Sequence, residues 1–220
     1  MRTDLHTVRV PGPLAESGFT LLLVCTGNIC RSALAERLGR AYLDEVLGAQ
    51  AGAVRLVSAG TQGVVGSAMH PHSDLVLRGY GAAGGDFRAQ QLTESIAAQA
   101  DLVLSMTRTH RREVLRLNPR GLARTFTLRE AADLLGLLGE HAPDGRGFDE
   151  RARGLVQAMA EVRSRRTADD NDDVPDPISG PVEAHEEAGE LIVGTLLPIL
   201  GRLAAMVREP EDVARAAPRR

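Results

Sequence analysis

The chain has no lysine: all 26 of its basic side chains are arginine, a bias of composition that carries no function by itself. It has only two cysteines, and both fall within residues 25–30. So sparse a supply of thiols excludes a disulfide framework and fits a reducing compartment, so a cytoplasmic protein is expected. No uninterrupted apolar run approaches the ~20 residues that span a bilayer. Residues 1–18 lack the ordered charged, apolar and small-residue regions of a secretory signal, and no membrane association is expected. A formal net charge of −3 gives no case for nucleic-acid binding. No internal repeat is present.

What is there suffices for one full core: 220 residues, 43% of them apolar. The pattern predicts strands at about 20–25, 54–58, 101–105 and 123–127, with helices between them at 31–47, 71–79 and 108–117. Such alternation implies right-handed crossovers and a parallel sheet covered on both faces. Ligands bind these sheets at the carboxyl ends of the strands, where Cys25 falls.

The segment Cys25-Thr26-Gly27-Asn28-Ile29-Cys30-Arg31-Ser32 follows the run Leu21-Leu22-Leu23-Val24 and opens a helical pattern through Leu34, Ala35, Leu38 and Tyr42. A strand, a tight loop and a helix N-terminus make an anion-binding nest of backbone N–H groups, reinforced by the helix dipole. A thiol at a helix N-terminus beside an arginine can fall to a pKa of roughly 3.5–7.5. Arg31 can grip two phosphoryl oxygens bidentately, Ser32 can donate to a thiolate, and Gly27 is expected to supply a positive φ. Asn28 tolerates the left-handed region and can pin the loop with its side chain. Taken alone, Cys25 fits equally well as a small buried core residue, because a bare C-x5-R match is common by chance.

Displacement at phosphorus also needs a proton for the departing oxygen. The single Asp-Pro pair, Asp176-Pro177, lies in the loop Val174-Pro175-Asp176-Pro177-Ile178-Ser179-Gly180, ahead of the last helix. Prolines on both sides restrict the backbone of Asp176, as a positioned acid requires.

With a C-x5-R-S loop near its start and an Asp-Pro loop near its end, the chain resembles the low-molecular-weight protein tyrosine phosphatases. Ser58-Ala59-Gly60-Thr61, the stretch 100–107 with His110, and Phe126-Thr127-Leu128-Arg129-Glu130 also look like family segments. The resemblance covers about residues 19–130 and 172–205. It implies an α/β fold of three layers with a central four-stranded parallel sheet, flavodoxin-like. It implies a phosphatase that hydrolyses phosphotyrosine in proteins through a phosphocysteine intermediate, without metal or cofactor. Cys25 would be the nucleophile, Arg31 the phosphate clamp and Asp176 the general acid and base. Thr26, Gly27, Asn28, Ile29, Cys30 and Ser32 would complete the substrate-binding loop, with Ser58 as a partner of Asn28. Cys30 would lie near Cys25 and be able to form a reversible disulfide with it. The partners would be phosphorylated proteins, and the protein a monomer. Residues 1–18 would be an N-terminal extension, 19–207 the phosphatase domain with an insertion at about 131–171, and 208–220 a C-terminal tail.

The departures concern substrate more than chemistry. Ile178 and the loop Gln62-Gly63-Val64-Val65-Gly66 stand where the family often has aromatic walls, Phe87 and Gln90 where it tends to carry a His and an Arg, and Ala33 where it often has a proline. The insertion, with a helical pattern at about 148–165, is expected to be a solvated connection or a lid. Asp169, Asp170, Asp172 and Asp173 are expected to belong to that solvated connection, with repulsion that raises the pKa of Asp176 as the alternative. Arginines 108, 111, 112, 116 and 120 are expected on a solvated face, and His70-Pro71-His72 in a loop without metal. Two related activities share the fold: arginine phosphatases, which tend to carry Thr where this chain has Ile29, and arsenate reductases, which usually need downstream cysteines that are missing here. A non-catalytic phosphate-binding module is the third alternative.

Overall fold

The computed structural model describes residues 18–140, 143–167 and 172–208. The expected extension, apart from Gly18, the tail from 209, and Asp169 and Asp170 lie outside them.

Four strands, β1 (Phe19–Cys25), β2 (Val54–Gly60), β3 (Leu102–Ser105) and β4 (Thr125–Thr127), form an all-parallel sheet in the order β2-β1-β3-β4. The helices are α1 (Arg31–Leu47), α2 (Pro71–Gly79), α3 (Glu94–Gln99), α4 (Arg108–Leu117), α5 (Leu128–Leu138), α6 (Phe148–Val162) and α7 (Val182–Arg208). Alternation along β1 sorts its side chains between two cores. Phe19, Leu21, Leu23 and Cys25 face a large core built with α1, α2, α5, α6 and α7. Leu22 and Val24 face a smaller one with Ala59, Ala97, Val103 and Val114, under α3 and α4. The expected three-layer architecture is therefore present.

Two elements differ from expectation. The segment from 131 begins inside α5, where Thr127 and Glu130 form a reciprocal capping box. α6 is core rather than a solvated connection: Ala152, Leu155, Val156 and Met159 are buried, and Phe148 meets Phe19 edge-on at 6.2 Å. Arg163 ties its end to the sheet, pairing with Glu130 at 2.7 Å and lying 4.4 Å from the centre of the Phe126 ring. α7 is also long and apolar enough to cross a membrane by length and composition, although no short run in it announces this. In the fold it packs on α1, α2, α5 and α6, with Ile192, Leu196, Ile199, Leu200 and Leu203 buried.

Candidate active site

β1 delivers Cys25 to the carboxyl edge of the sheet, where the chain loops through Thr26–Cys30 before α1 begins at Arg31. The loop's carbonyls turn outward. Those of Cys25, Thr26, Gly27 and Ile29 accept from the amides of Thr61, Gln62, Val64 and His70 at 2.8–3.0 Å. That leaves the loop's own N–H groups for the concave side, the arrangement of an anion nest. Gly60, opposite Cys25 across β1 and β2, permits this approach, since a Cβ there would lie 2.4 Å from the Thr26 carbonyl oxygen.

The backbone turn is made by Asn28, with φ 57°, whereas Gly27 does not adopt a positive φ. Asparagine tolerates the left-handed region and here is also the hub of a buried network. The amide N–H of Gln90 donates to Asn28 Oδ1 at 2.8 Å, which fixes the orientation of the side-chain amide. Asn28 Nδ2 then donates to Ser32 Oγ at 2.9 Å and to Ser58 Oγ at 2.8 Å. Because an amide nitrogen only donates, the Ser32 hydroxyl proton is left for Cys25 Sγ, 2.9 Å away. Ser58 passes its own proton to Glu36 Oε2 at 2.5 Å, and burial raises the pKa of Glu36. Gln90 additionally donates from Nε2 to the Ser58 carbonyl at 2.7 Å. Support from this side is thus supplied by Gln90, while Phe87 joins the core and lies 5.5 Å from the Arg37 guanidinium.

On the other flank, His110 bridges two threonines, with Nε2 2.9 Å from Thr26 Oγ1 and Nδ1 2.9 Å from Thr107 Oγ1. Burial and the nearby Arg31 charge push its pKa down to about 4, so the ring is neutral at pH 7. Arg31 is buried, yet donates from Nη1 to the Val174 carbonyl at 2.9 Å and from Nη2 to Asp176 Oδ2 at 2.5 Å. Among the described residues its Nε is buried without a partner. Two residues 145 positions apart, Arg31 and Asp176, therefore meet at one rim.

A cavity of about 190 Å³ opens there, lined by Cys25, Thr26, Gly27, Ile29, Cys30, Arg31, Gln62, Val64, Asp176 and Ile178. Asn28 and Ser32 lie behind it, buried. The walls are aliphatic, as Ile178 and Val64 foretold. Both cysteines are free thiols, and burial pushes Cys30 up to about 11, so Cys30 is protonated at rest. Of the acidic residues ahead of Asp176, the two within the described residues are engaged by arginines: Asp172 pairs with Arg166, and Asp173 accepts from the Arg108 amide at 2.7 Å. Among the sequence-predicted residues, all nine meet at this loop. Sequence reasoning missed Gln90, Glu36 and the bridging role of His110. Only the Thr107-x-x-His110 spacing at the start of α4 offered a signal.

A parallel α/β sheet carrying a Cys-x5-Arg phosphate loop and a distant aspartate defines a class of cysteine-dependent phosphoester-binding proteins. Residues 20–136 match the family model for low molecular weight phosphotyrosine protein phosphatase, more than half of the chain. A low molecular weight protein-tyrosine-phosphatase of Streptomyces coelicolor is 32% identical over 195 residues, 87% of this chain and 94% of that one. The probable low molecular weight protein-tyrosine-phosphatase AmsI of Erwinia amylovora is 37% identical over 100 residues, which span 46% of this chain and 64% of the relative. Among solved structures, the YwlE arginine phosphatase from Geobacillus stearothermophilus has a TM-score of 0.55 and 26% identity, covering 85% of this chain and 91% of that one. The chain belongs to the low molecular weight protein-tyrosine-phosphatase family.

Proposed function

We infer that the protein hydrolyses phosphotyrosine in proteins through a phosphocysteine intermediate. The observation that carries this reading is the buried, unpartnered Nε of Arg31, on the wall of a cavity that Cys25 and Asp176 also line. Nε and Nη2 are the guanidinium edge that grips two phosphoryl oxygens. The Cys25 thiolate attacks phosphorus, the bond from phosphorus to the ester oxygen breaks, and Asp176 gives its proton to the departing phenolate. Arg31 and the loop amides hold the equatorial oxygens where charge develops. Asp176 then takes a proton from water as that water attacks phosphorus, and the P–S bond breaks to return the thiolate. Ser32, held by Asn28, donates to the sulfur in both steps.

Thr26, Gly27, Ile29 and Cys30 line the phosphate side of the site, and Ile178 and Val64 flank the leaving group. The substrates are phosphorylated proteins, the chain acts as a cytoplasmic monomer without metal or cofactor in catalysis, and residues 19–207 form its catalytic domain. The aliphatic walls favour phosphoarginine as a second reading, against which Ile29 stands where arginine phosphatases tend to carry Thr. Steady-state hydrolysis of phosphotyrosine and phosphoarginine peptides separates the two. Turnover of phosphotyrosine is expected, abolished by Cys25→Ser and lowered about 10²–10⁴-fold by Asp176→Ala. A preference for phosphoarginine overturns the substrate, and absence of turnover in the folded protein overturns the reaction.

A further inference from the structure

At the end of the phosphate loop, two imidazoles from distant segments lie against the Cys30 thiol, and a third packs on both rings. The ligand atoms of Cys30, His70 and His185 all lie within 4.8 Å of one another. The rings of His70 and His185 stack at 4.6 Å and 13°, and His72 stands edge-on to both at 5.3 Å. His185 is only 1% exposed, and among the described residues its Nε2 is buried with no hydrogen-bond partner, although the Pro177 backbone is close enough to favour the charged ring. Leaving such a nitrogen unpaired is costly, so its retention needs a reason.

The outer atoms of the cluster are already oriented. Ser73 Oγ holds His185 Nδ1 at 2.8 Å and also reaches the Cys30 thiol, favouring its charged form. His70 Nδ1 accepts from the His72 amide at 3.3 Å, which leaves its Nε2 open. Holding one ring nitrogen by a hydrogen bond while the other is left for the ion is how metal-binding imidazoles are prepared. Burial and the neighbouring rings lower the proton affinity of both His70 and His185, so each presents a neutral ring at pH 7.

We propose that Cys30, His70 and His185 form a zinc site that fastens the phosphate loop to the first turns of α7, with water as the fourth ligand. One thiolate and two imidazoles are a donor set that zinc takes tetrahedrally, at about 2.3 Å from sulfur and about 2.0–2.1 Å from nitrogen. Tetrahedral ligands at those lengths lie about 3.3–3.6 Å apart, so on binding the three side chains draw together and the stacked rings of His70 and His185 turn out of parallel to face one ion. The Cys30 proton leaves to solvent as the Zn–S bond forms. None of its ligands is a reacting group, but Cys30 also lines the phosphate cavity and directly precedes Arg31, and His185 sits on the helix that follows the Asp176 loop. It stands whichever phosphoester the adjoining cavity cleaves.

The test uses the full chain with Cys25→Ser, so that Cys30 is the only thiol, and cobalt(II) as the spectroscopic probe. One cobalt per chain is expected to bind with a thiolate-to-metal charge-transfer band and tetrahedral d–d absorption, both removed by one equivalent of zinc. Adding Cys30→Ser is expected to abolish the charge-transfer band. His185→Ala and His70→Ala are each expected to weaken binding at least about tenfold, and Ser73→Ala about 10–100-fold. His70 is only partly buried, so His70→Ala decides the question if the buried His185→Ala fails to fold. Zinc is also expected to raise the melting temperature of the wild type and not that of His70→Ala. Absence of the charge-transfer band, or an affinity unchanged by His70→Ala in a folded protein, overturns the site.

Discussion

Replacing Asn28 isolates what one side chain contributes to the phosphate loop. It makes three hydrogen bonds, to Ser32, Ser58 and the Gln90 amide, and its backbone sits at φ 57°. At a net ~1 kcal/mol each, loss of the three bonds costs about 3 kcal/mol. Alanine also bears about 1 kcal/mol for the left-handed backbone, whereas glycine does not. Asn28→Ala is therefore expected to lose about 4 kcal/mol and Asn28→Gly about 3. At ~2–4 °C per kcal/mol for a chain of this size, alanine lowers the melting temperature by about 8–16 °C. Urea unfolding at pH 7 measures both variants, and steady-state kinetics read the loop, because the Ser32 hydroxyl loses the donor that directs its proton at Cys25. Asn28→Asp keeps the acceptor for Gln90 and removes both donors, so its stability is expected to fall between the wild type and Asn28→Gly. Loss of less than about 1 kcal/mol in Asn28→Ala, or a glycine variant less stable than the alanine one, would refute the network as described.

Two further perturbations test the flanks. His110 is neutral when folded, with a pKa near 4, whereas an unfolded histidine titrates near 6.5. The unfolded state therefore binds the proton first, and the contribution of His110 is complete above pH 6.5 and lost as pH falls through 4. Urea unfolding should show about 2 kcal/mol less stability at pH 5 than at pH 7 from this group, a difference that His110→Gln abolishes; an unchanged pH dependence in that variant would contradict the assignment. At the cavity mouth, Ile178→Tyr supplies the missing aromatic wall. An added stacking contact of about 0.5–1.5 kcal/mol is expected to lower KM for a phosphotyrosine peptide about twofold to tenfold, with little effect on a small alkyl phosphate, and a KM unchanged for both would show that residue 178 does not touch the leaving group.

The residues whose function is local were legible in the sequence. Cys25, Arg31 and Ser32 share one strand–loop–helix unit, whose run of apolar residues and abrupt change of period mark both ends. α2 and α4 were visible for the same reason. The positive φ was assigned to Gly27 but belongs to Asn28, because both residues tolerate it and only the tertiary bonds from Gln90, Ser32 and Ser58 choose between them. Gln90 supports the loop through its backbone amide as much as its side chain, and a backbone donor leaves no mark in sequence. Glu36 reads as a solvated helix position until Ser58 is placed against it. α5 and α6 did carry signals, the Thr127-x-x-Glu130 capping box and the apolar spacing of Ala152, Leu155, Val156 and Met159. The length and charge of the segment mask the first as a helix start, whereas the helix at 148–165 is legible and only its burial is not. The histidines near 70 look idle in sequence because the third and fourth members of their cluster, Cys30 and His185, come from the loop before α1 and from α7.

The placement of Asp176 shows how an acid far away in sequence is brought to a loop near the start of the chain. Val174 is buried, and its amide donates to the Met106 carbonyl just past β3 at 2.8 Å, while its own carbonyl accepts from Arg31. The segment is therefore pinned two residues ahead of the acid, and the prolines on both sides of Asp176 limit how far the carboxyl can stray from that anchor. Asp176 itself remains 42% exposed and occupies Arg31 Nη2. In the proposed reaction, a phosphoryl group entering the nest competes for that same nitrogen and for the vacant Nε beside it. Arg31 can turn this edge to phosphate while Nη1 keeps its bond to Val174, so the loop stays docked as the carboxyl is released toward the ester oxygen. One guanidinium thus does two jobs with different edges, and lysine, with a single ammonium head, could not hold the loop and the phosphate at once.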